Sequence, residues 1–238
     1  MLWRTEPARA IADFVAFWAA LPGLVPLGRG DGHGVLVVPG FMADDLSTCT
    51  LRTMLQVHGF RASGWSLGTN LGPTPHLWEG AGARLQELYA ETRRPVTVIG
   101  QSLGGIFARE LARNYPDLVR QVITLGSPYR LDESHAPELT TVGHIYHALR
   151  HLHTDAFSTP EEDLPPITAP ATSVYSRADG VVPWQSCIET GRPNTENIEV
   201  SASHCGMSVH PEVMRIVLDR LRLPEGEWRP YSMAAMAS

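Results

Sequence analysis

The most informative segment of this 238-residue chain is Val98-Ile99-Gly100-Gln101-Ser102-Leu103-Gly104-Gly105-Ile106. It holds a G-x-S-x-G pentapeptide between an apolar, strand-like run and a helix-forming run. A turn from strand to helix is so tight here that side chains at positions 100 and 104 would collide with neighbouring backbone, and glycine avoids the collision. We therefore predict that Ser102 is a nucleophile, raised on a sharp turn at a helix N-terminus. The alternative is a glycine-rich turn with an incidental serine.

Apolar runs and helical periodicity alternate on both sides of this segment. Continuous apolar runs are typical of strands covered on both faces, and amphipathic stretches indicate the helices that cover them. The strand-like runs are residues 35–38, 96–99 and 122–125, and more weakly 61–66, 171–176 and 198–201; the helical stretches are 51–57, 77–89, 103–115 and 209–221. The pattern predicts an α/β fold with a mostly parallel central sheet of about six strands, flanked by helices on both faces.

Length and spacing favour one domain over residues 1–238. Residues 1–30 are predicted to form an N-terminal helical extension. Residues 130–170 interrupt the alternation, and a connection of about 40 residues in a compact domain is usually functional or disordered. We interpret this segment as a small cap inserted above the sheet.

Charge and composition exclude several kinds of chemistry. The net charge of −6 argues against a nucleic-acid partner. All 19 basic residues are arginine, and the lack of lysine excludes Schiff-base enzymes, Walker-type phosphate loops and Ser–Lys dyads. Histidine is then the expected proton carrier. Three cysteines without a C-x-x-C pair, and an N-terminal apolar stretch far below the roughly 20 residues of a bilayer span, favour a cytoplasmic protein.

A catalytic serine needs a base, and the base needs a carboxylate to orient it. His204 lies between the last predicted strand and the last helix, and Asp179 directly follows the strand at 171–176. Because the carboxyl ends of parallel strands lie at one edge of a sheet, Ser102, Asp179 and His204 are expected to meet there. The alternatives are a loop histidine bonded to backbone and a turn-forming aspartate before Gly180.

Four segments together resemble the α/β-hydrolase superfamily, and within it the serine lipases and carboxylesterases. They are residues 100–105, Leu125-Gly126-Ser127-Pro128, residues 176–183 and Ser203-His204, within a similarity that spans about residues 33–222. The resemblance implies a triad of Ser102, His204 and Asp179. It also implies an oxyanion hole formed by the backbone amides of Phe41 and Leu103. Position 101 is glutamine, where many lipases have histidine.

These observations predict a serine hydrolase that cleaves carboxylic esters of apolar acyl groups, without a cofactor. The expected partner is a small apolar ester, with transient contact of the N-terminal helix to a lipid surface. Acyl transfer and thioester cleavage by the same triad remain open, as does a non-catalytic binding protein. His144, His147 and His151 recur at helical spacing that could bind zinc, although a solvated helix face is the default interpretation and no metal is expected.

Overall fold

The computed structural model describes residues 2–130, 141–190 and 192–232. In these ranges the chain forms a sheet of six strands, all parallel to their neighbours. In chain order they are β1 (Gly34–Val38), β2 (Arg61–Gly64), β3 (Val96–Gln101), β4 (Val119–Leu125), β5 (Ala171–Ser176) and β6 (Thr195–Val200). Their order across the sheet is β2-β1-β3-β4-β5-β6. The predicted parallel sheet of about six strands is confirmed.

Helices cover both faces of this sheet, as predicted. They are α1 (Glu6–Leu24), α2 (Cys49–Val57), α3 (Pro75–Thr92), α4 (Leu103–Asn114), α5 (Thr141–Leu149) and α6 (Pro211–Arg222). One core cluster joins α1, α2 and α6 to one face of the sheet, and a second joins α3 and α4 to the other. The register places Ile99 of β3 beside Val37 of β1 and Ile123 of β4. Because all six strands are parallel, their carboxyl ends lie at one edge of the sheet.

Apart from β5, which is internal but rich in serine and threonine, the strength of a strand's sequence signal follows its position in the sheet. Every residue of the central strands β1, β3 and β4 is buried, and each of these strands contains a largely apolar run. The edge strand β2 alternates between buried and accessible positions, and in the other edge strand, β6, only Val200 is buried. Because an edge strand needs fewer apolar residues, its sequence signal is weaker.

The N-terminal extension is an integral layer of the fold. Phe17 and Leu24 of α1 are buried in the core that α6 completes. The opposite side of α1 exposes Ile11, Val15 and Trp18 to solvent. No helix in residues 2–130, 141–190 or 192–232 has both the length and the apolar character needed to cross a bilayer.

The predicted insertion is described from residue 141 onward; residues 131–140 lie outside the described ranges. After α5 it continues through three short 3₁₀ turns, Arg150–Leu152, Asp155–Phe157 and Glu161–Asp163. The Phe157 ring packs edge-on against Phe107 of α4, with the ring centroids 4.7 Å apart. Thr154 donates its amide to the Pro73 carbonyl at 2.7 Å. These contacts fix residues 150–163 against the α3–α4 side of the sheet.

Candidate active site

Ser102 occupies a strained turn between β3 and α4. Its backbone angles are φ 51° and ψ −123°, a left-handed conformation that a residue with a side chain rarely adopts. A Cβ on Gly100 would overlap the Gly104 carbonyl oxygen, and one on Gly104 would overlap the Val38 carbonyl oxygen. The Ser102 amide donates to the Leu125 carbonyl at 2.8 Å, which ties the turn to β4. The structure therefore places Ser102 on the tight strand-to-helix turn that its sequence predicts.

His204 and Asp179 form a hydrogen-bonded pair at the same edge of the sheet. Nδ1 of His204 lies 2.6 Å from Oδ2 of Asp179. Because an ionised carboxylate can only accept, Nδ1 carries the proton and Nε2 is left as the basic nitrogen. Oδ1 of Asp179 accepts from the amides of Val181 and Val182 at 2.8 and 2.7 Å. Asp179 is thus both a turn former and the partner of His204.

The serine turn and the two loops lie against one another. Gln101 donates from Nε2 to the His204 carbonyl at 3.0 Å. A Cβ on Gly126, which follows β4, would lie 3.2 Å from Oδ2 of Asp179. Among the hydrogen bonds of the described residues, one from Ser102 Oγ to His204 Nε2 is absent. Catalytic hydrogen bonds are often long before substrate binds, so the arrangement still allows Ser102 to act as a nucleophile with His204 as its base.

The loop after β1 brings Phe41 beside the serine. A Cβ on Gly40 would lie 3.2 Å from the Ser102 Cβ, so glycine allows the two backbones to approach. In the described part of the chain, neither the Phe41 amide nor the Leu103 amide donates to a backbone carbonyl outside the regular helices and strands, or to a side chain. Both donors are therefore available beside the serine turn.

Asn70 holds this loop in place. Its side chain is fully buried, and its Nδ2 donates to the Pro39 carbonyl at 2.8 Å. Its backbone carbonyl accepts from the Met42 amide, and its own amide donates to the Ala43 carbonyl, both at 2.8 Å. Three hydrogen bonds from one residue thus fix residues 39–43.

Aromatic side chains from the insertion lie over Phe41. The rings of Phe41 and Tyr146 meet edge-on with centroids 5.3 Å apart, and Tyr146 also contacts His153 at 4.9 Å. Burial raises the pKa of the Tyr146 hydroxyl. Two other aromatic rings are occupied by contacts within the protein, because Phe17 is in the core and Phe157 packs on Phe107.

The histidines of the insertion are dispersed on its surface. His144, His147 and His151 are all exposed, and His151 Nδ1 lies 2.9 Å from the Ala148 carbonyl. Within the described ranges, no three side chains of His, Cys, Asp or Glu are grouped so that they could hold a metal ion.

Sequence reasoning missed Gln101 and Asn70 as parts of the site. Gln101 is adjacent to the nucleophile, so its position was a usable signal. Asn70 lies in an irregular loop rich in glycine and proline, and only the fold reveals that its side chain points inward toward the Pro39 carbonyl.

Comparison with known proteins gives the same architecture. A family model described as the alpha/beta hydrolase fold matches residues 92–147, which include β3, the serine turn, α4 and β4. A comparison with curated proteins finds no match.

Solved structures that resemble the chain include three lipolytic enzymes at low sequence identity. A metagenome-derived lipolytic enzyme is 17% identical, with a TM-score of 0.63 over 82% of this chain and 95% of that one. Aspergillus fumigatus lipase B is 16% identical, with a TM-score of 0.65 over 90% of this chain and 57% of that one. Bacillus licheniformis lipase BlEst2 is 14% identical, with a TM-score of 0.61 over 82% and 94% of the two chains. The sheet order, the serine turn and these likenesses show that the chain has the α/β-hydrolase fold.

Proposed function

We propose that this protein is a serine hydrolase that cleaves carboxylic esters of apolar acyl groups. The observation that carries the proposal is the 2.6 Å bond between His204 and Asp179 beside the strained turn of Ser102. This is the combination of nucleophile, base and orienting carboxylate that acyl transfer requires. The lipolytic names of the structural neighbours support the same class of reaction.

In the proposed acylation step, His204 Nε2 removes the proton from Ser102 Oγ as that oxygen attacks the ester carbonyl carbon. The C=O π bond opens, and the negative charge on its oxygen is stabilised by the amides of Phe41 and Leu103. The tetrahedral intermediate then collapses, the bond to the alkoxy group breaks, and the imidazolium of His204 protonates the departing alcohol. Ser102 is left as an acyl ester.

Deacylation repeats these steps with water as the nucleophile. His204 takes a proton from the water, hydroxide adds to the acyl carbon, and the carboxylic acid leaves as Ser102 regains its proton. Asp179 remains ionised throughout; it holds the imidazole in one tautomer and stabilises its positive charge.

The surroundings of Ser102 favour an apolar acyl group. Phe41 and Tyr146 stack edge-on next to the loop that approaches the serine. Aromatic carbon on the loop that approaches the serine suits a hydrocarbon chain and disfavours a charged one, whose desolvation would cost free energy.

We place this reaction in a reducing compartment such as the cytoplasm. The support is the state of Cys49, Cys187 and Cys205, all of which are free thiols in the structure.

The test is labelling by a fluorophosphonate probe, followed by intact-mass measurement. We expect the wild-type protein to gain one probe adduct and to hydrolyse p-nitrophenyl butyrate. Ser102→Ala should lose both properties while keeping its circular dichroism spectrum. Absence of labelling in the folded wild type, or unchanged labelling of Ser102→Ala, would refute the proposal.

Product analysis then separates hydrolysis from the related reactions. With a competing alcohol present, a hydrolase releases mainly the free acid, whereas an acyltransferase forms mainly the new ester. A matched thioester, compared with the oxygen ester by kcat/KM, shows which leaving group the site prefers.

A further inference from the structure

The first helix reaches the two loops that carry His204 and Asp179. Glu6, the first residue of α1, is only 2% exposed although it carries a carboxyl group. Oε1 of Glu6 accepts from the amide of Gly180 at 2.7 Å and from the amide of His204 at 3.3 Å. Oε2 accepts from the amide of Cys205 at 3.4 Å. One carboxylate therefore joins the aspartate loop to the histidine loop.

Arg9, one turn further along α1, completes the contact with the aspartate loop. Its Nη2 lies 2.6 Å from Oε1 of Glu6, and its Nη1 donates to the Ala178 carbonyl. The residues on either side of Asp179, Ala178 and Gly180, are thus both bonded to α1. The backbone that carries the Asp179 side chain is held at two adjacent points.

Asp13, two turns along α1, does the same for the histidine loop. Its Oδ2 accepts from the amide of Ser203 at 2.9 Å and from the Ser203 hydroxyl. The Ser203 hydroxyl oxygen also accepts from the Gly206 amide at 3.0 Å. His204 therefore lies between Ser203, held by Asp13, and Cys205, held by Glu6.

Two glycines allow the loops to lie directly on α1 and on Leu2, which precedes it. A Cβ on Gly180 would lie 2.6 Å from the backbone carbonyl carbon of Leu2, and a Cβ on Gly206 would overlap the Asp13 carboxylate. Contact at this range leaves no room for an intervening side chain. The loops and α1 therefore form one hydrogen-bonded unit.

Apolar packing alone would anchor α1 to the core, as Phe17 and Leu24 already do. A carboxylate as buried as that of Glu6 destabilises the fold unless hydrogen bonds replace its water. Apart from Arg9, the partners of Glu6 are amides of the two loops. The Glu6 carboxylate therefore stabilises the positions of the two loops, whereas the apolar residues of α1 attach the helix to the core.

We propose that Glu6 and Asp13 are positioning residues, which hold the His204 and Asp179 loops so that the imidazole is aligned for proton transfer. The inference rests on the proposed serine-hydrolase function. Proton transfer and nucleophilic attack tolerate little displacement, and an error of about 1 Å can lower a rate by about 100-fold. The N-terminal segment then supports catalysis, although it contributes no residue to the triad or the oxyanion hole.

The substitutions that test this are Glu6→Gln and Asp13→Asn. Gln has the size of Glu, but its amide nitrogen cannot accept from the Cys205 amide, and its neutral oxygen offers Arg9 a hydrogen bond without an ion pair. Asn keeps the shape and one acceptor oxygen of Asp13, so this variant is expected to fold even if Glu6→Gln does not. Glu87→Gln is the matched control, because Glu87 also pairs with an arginine three residues away, Arg84, but on exposed helix surface.

Two measurements separate positioning from a merely structural role. At a temperature well below the melting transition, we expect kcat for p-nitrophenyl butyrate to fall about 10- to 100-fold, with KM within about twofold of the wild type. In proton NMR, the far-downfield resonance of the His204 Nδ1 proton, identified by its loss in His204→Gln, should shift or broaden. Glu87→Gln should change neither measurement.

The outcomes are distinct from those of the functional proposal. A wild-type protein that is not labelled at Ser102 refutes the serine-hydrolase function, and the imidazole resonance still reports whether Glu6 and Asp13 position His204. If the folded variants keep wild-type kcat and an unchanged resonance, and lose only thermal stability, the positioning role is wrong.

Discussion

Gln101 donates a hydrogen bond of 3.0 Å from its side-chain amide to the backbone carbonyl of His204. Because Gln101 directly precedes the nucleophile, this bond links the serine turn to the histidine loop without an intermediate residue. The carboxylate of Glu6, in the N-terminal helix, accepts from the backbone amide of the same histidine. The peptide backbone of His204 is therefore held at both its N–H and its C=O group.

Replacing Gln101 should loosen the contact between the serine turn and the histidine loop. A neutral hydrogen bond contributes about 0.5–1.5 kcal/mol, so Gln101→Ala is expected to lower kcat/KM roughly 3- to 10-fold. The rate of fluorophosphonate labelling should fall in parallel. Gln56→Ala is the control, because Gln56 donates the same kind of bond, 2.8 Å to the Ala62 carbonyl, at an exposed position beside β2. Equal rates for the two variants would contradict the linking role.

Asn70→Ala is expected to loosen the loop that carries the Phe41 amide. The bond from Asn70 to the Pro39 carbonyl is fully buried, so its loss leaves an unpaired acceptor as well as a freer loop. Oxyanion donors act on the transition state, and their removal costs about 100- to 1,000-fold in kcat. Displacement of one donor should therefore lower kcat by about 10-fold or more, with little change in KM.

The comparison for this variant is Asn114→Ala. The Asn114 side chain also donates to a backbone carbonyl at 2.8 Å, that of Glu110, but within α4 and away from the serine. Steady-state kinetics of the two variants should differ in kcat. If Asn70→Ala raises KM and leaves kcat unchanged, the loop binds substrate in its ground state instead.

Local physics made most of the fold predictable from sequence. The central strands β1, β3 and β4 are buried throughout, which favours apolar residues and so produces a recognisable run. The buried polar residues of β4, such as Arg120 and Gln121, donate hydrogen bonds to backbone carbonyls instead. The place of the N-terminal helix was not predictable in this way. Its two sides are similarly apolar, with Phe17 buried and Trp18 exposed, so composition does not tell which side faces the protein.

The residues of the candidate site likewise differ in whether a local sequence motif marks them. Ser102, Asp179 and His204 are signalled by local motifs at strand ends, and the structure brings Asp179 and His204 into contact. Glu6 and Asn70 act through backbone groups far away in the chain. Since any loop offers N–H and C=O groups, no sequence motif marks the partner of a side chain that bonds to backbone, and only the tertiary fold reveals it.

A second buried polar cluster lies at the amino end of the sheet, away from the serine. His33, which directly precedes β1, is completely buried, with Nδ1 2.5 Å from Asp31 and Nε2 3.0 Å from the Thr97 hydroxyl. Burial, assisted by the positive charge of Arg120, lowers the pKa of His33 from 6.5 to about 4. Burial alone would raise the pKa of Asp31, but hydrogen bonds from His33 and Arg94 hold it well below its usual range.

This cluster predicts a loss of stability in mild acid. An unfolded histidine binds a proton near pH 6.5, whereas folded His33 stays neutral until about pH 4. Its contribution is complete above pH 6.5 and is lost as the pH falls toward 4, by about 3 kcal/mol in the free energy of unfolding. The contribution of Asp31 is lost only at lower pH, below 3.8.

Urea unfolding at pH 7, 5.5 and 4.5 measures this effect. In His33→Asn the free energy of unfolding should decline less between pH 7 and 4.5, because the contribution of the histidine is absent. The variant should also be less stable at pH 7, because Asp31 and Thr97 lose a partner. An identical pH slope in both proteins would show that His33 is not the group responsible.

The strained backbone of Ser102 predicts that the nucleophile's conformation lowers the stability of the fold. A residue with a Cβ at φ 51° and ψ −123° is strained by about 1–3 kcal/mol, and glycine is relieved of that strain. Alanine keeps the Cβ, so Ser102→Ala removes the hydroxyl without relieving the backbone. Ser102→Gly removes the hydroxyl and also relieves the strain. Because glycine gains conformational entropy in the unfolded chain, part of this relief is offset, and we expect Ser102→Gly to be about 1 kcal/mol more stable than Ser102→Ala. Denaturant unfolding of the two inactive variants gives this difference directly. A Ser102→Gly variant no more stable than Ser102→Ala would mean that the strain at this turn does not exceed the entropic cost of glycine.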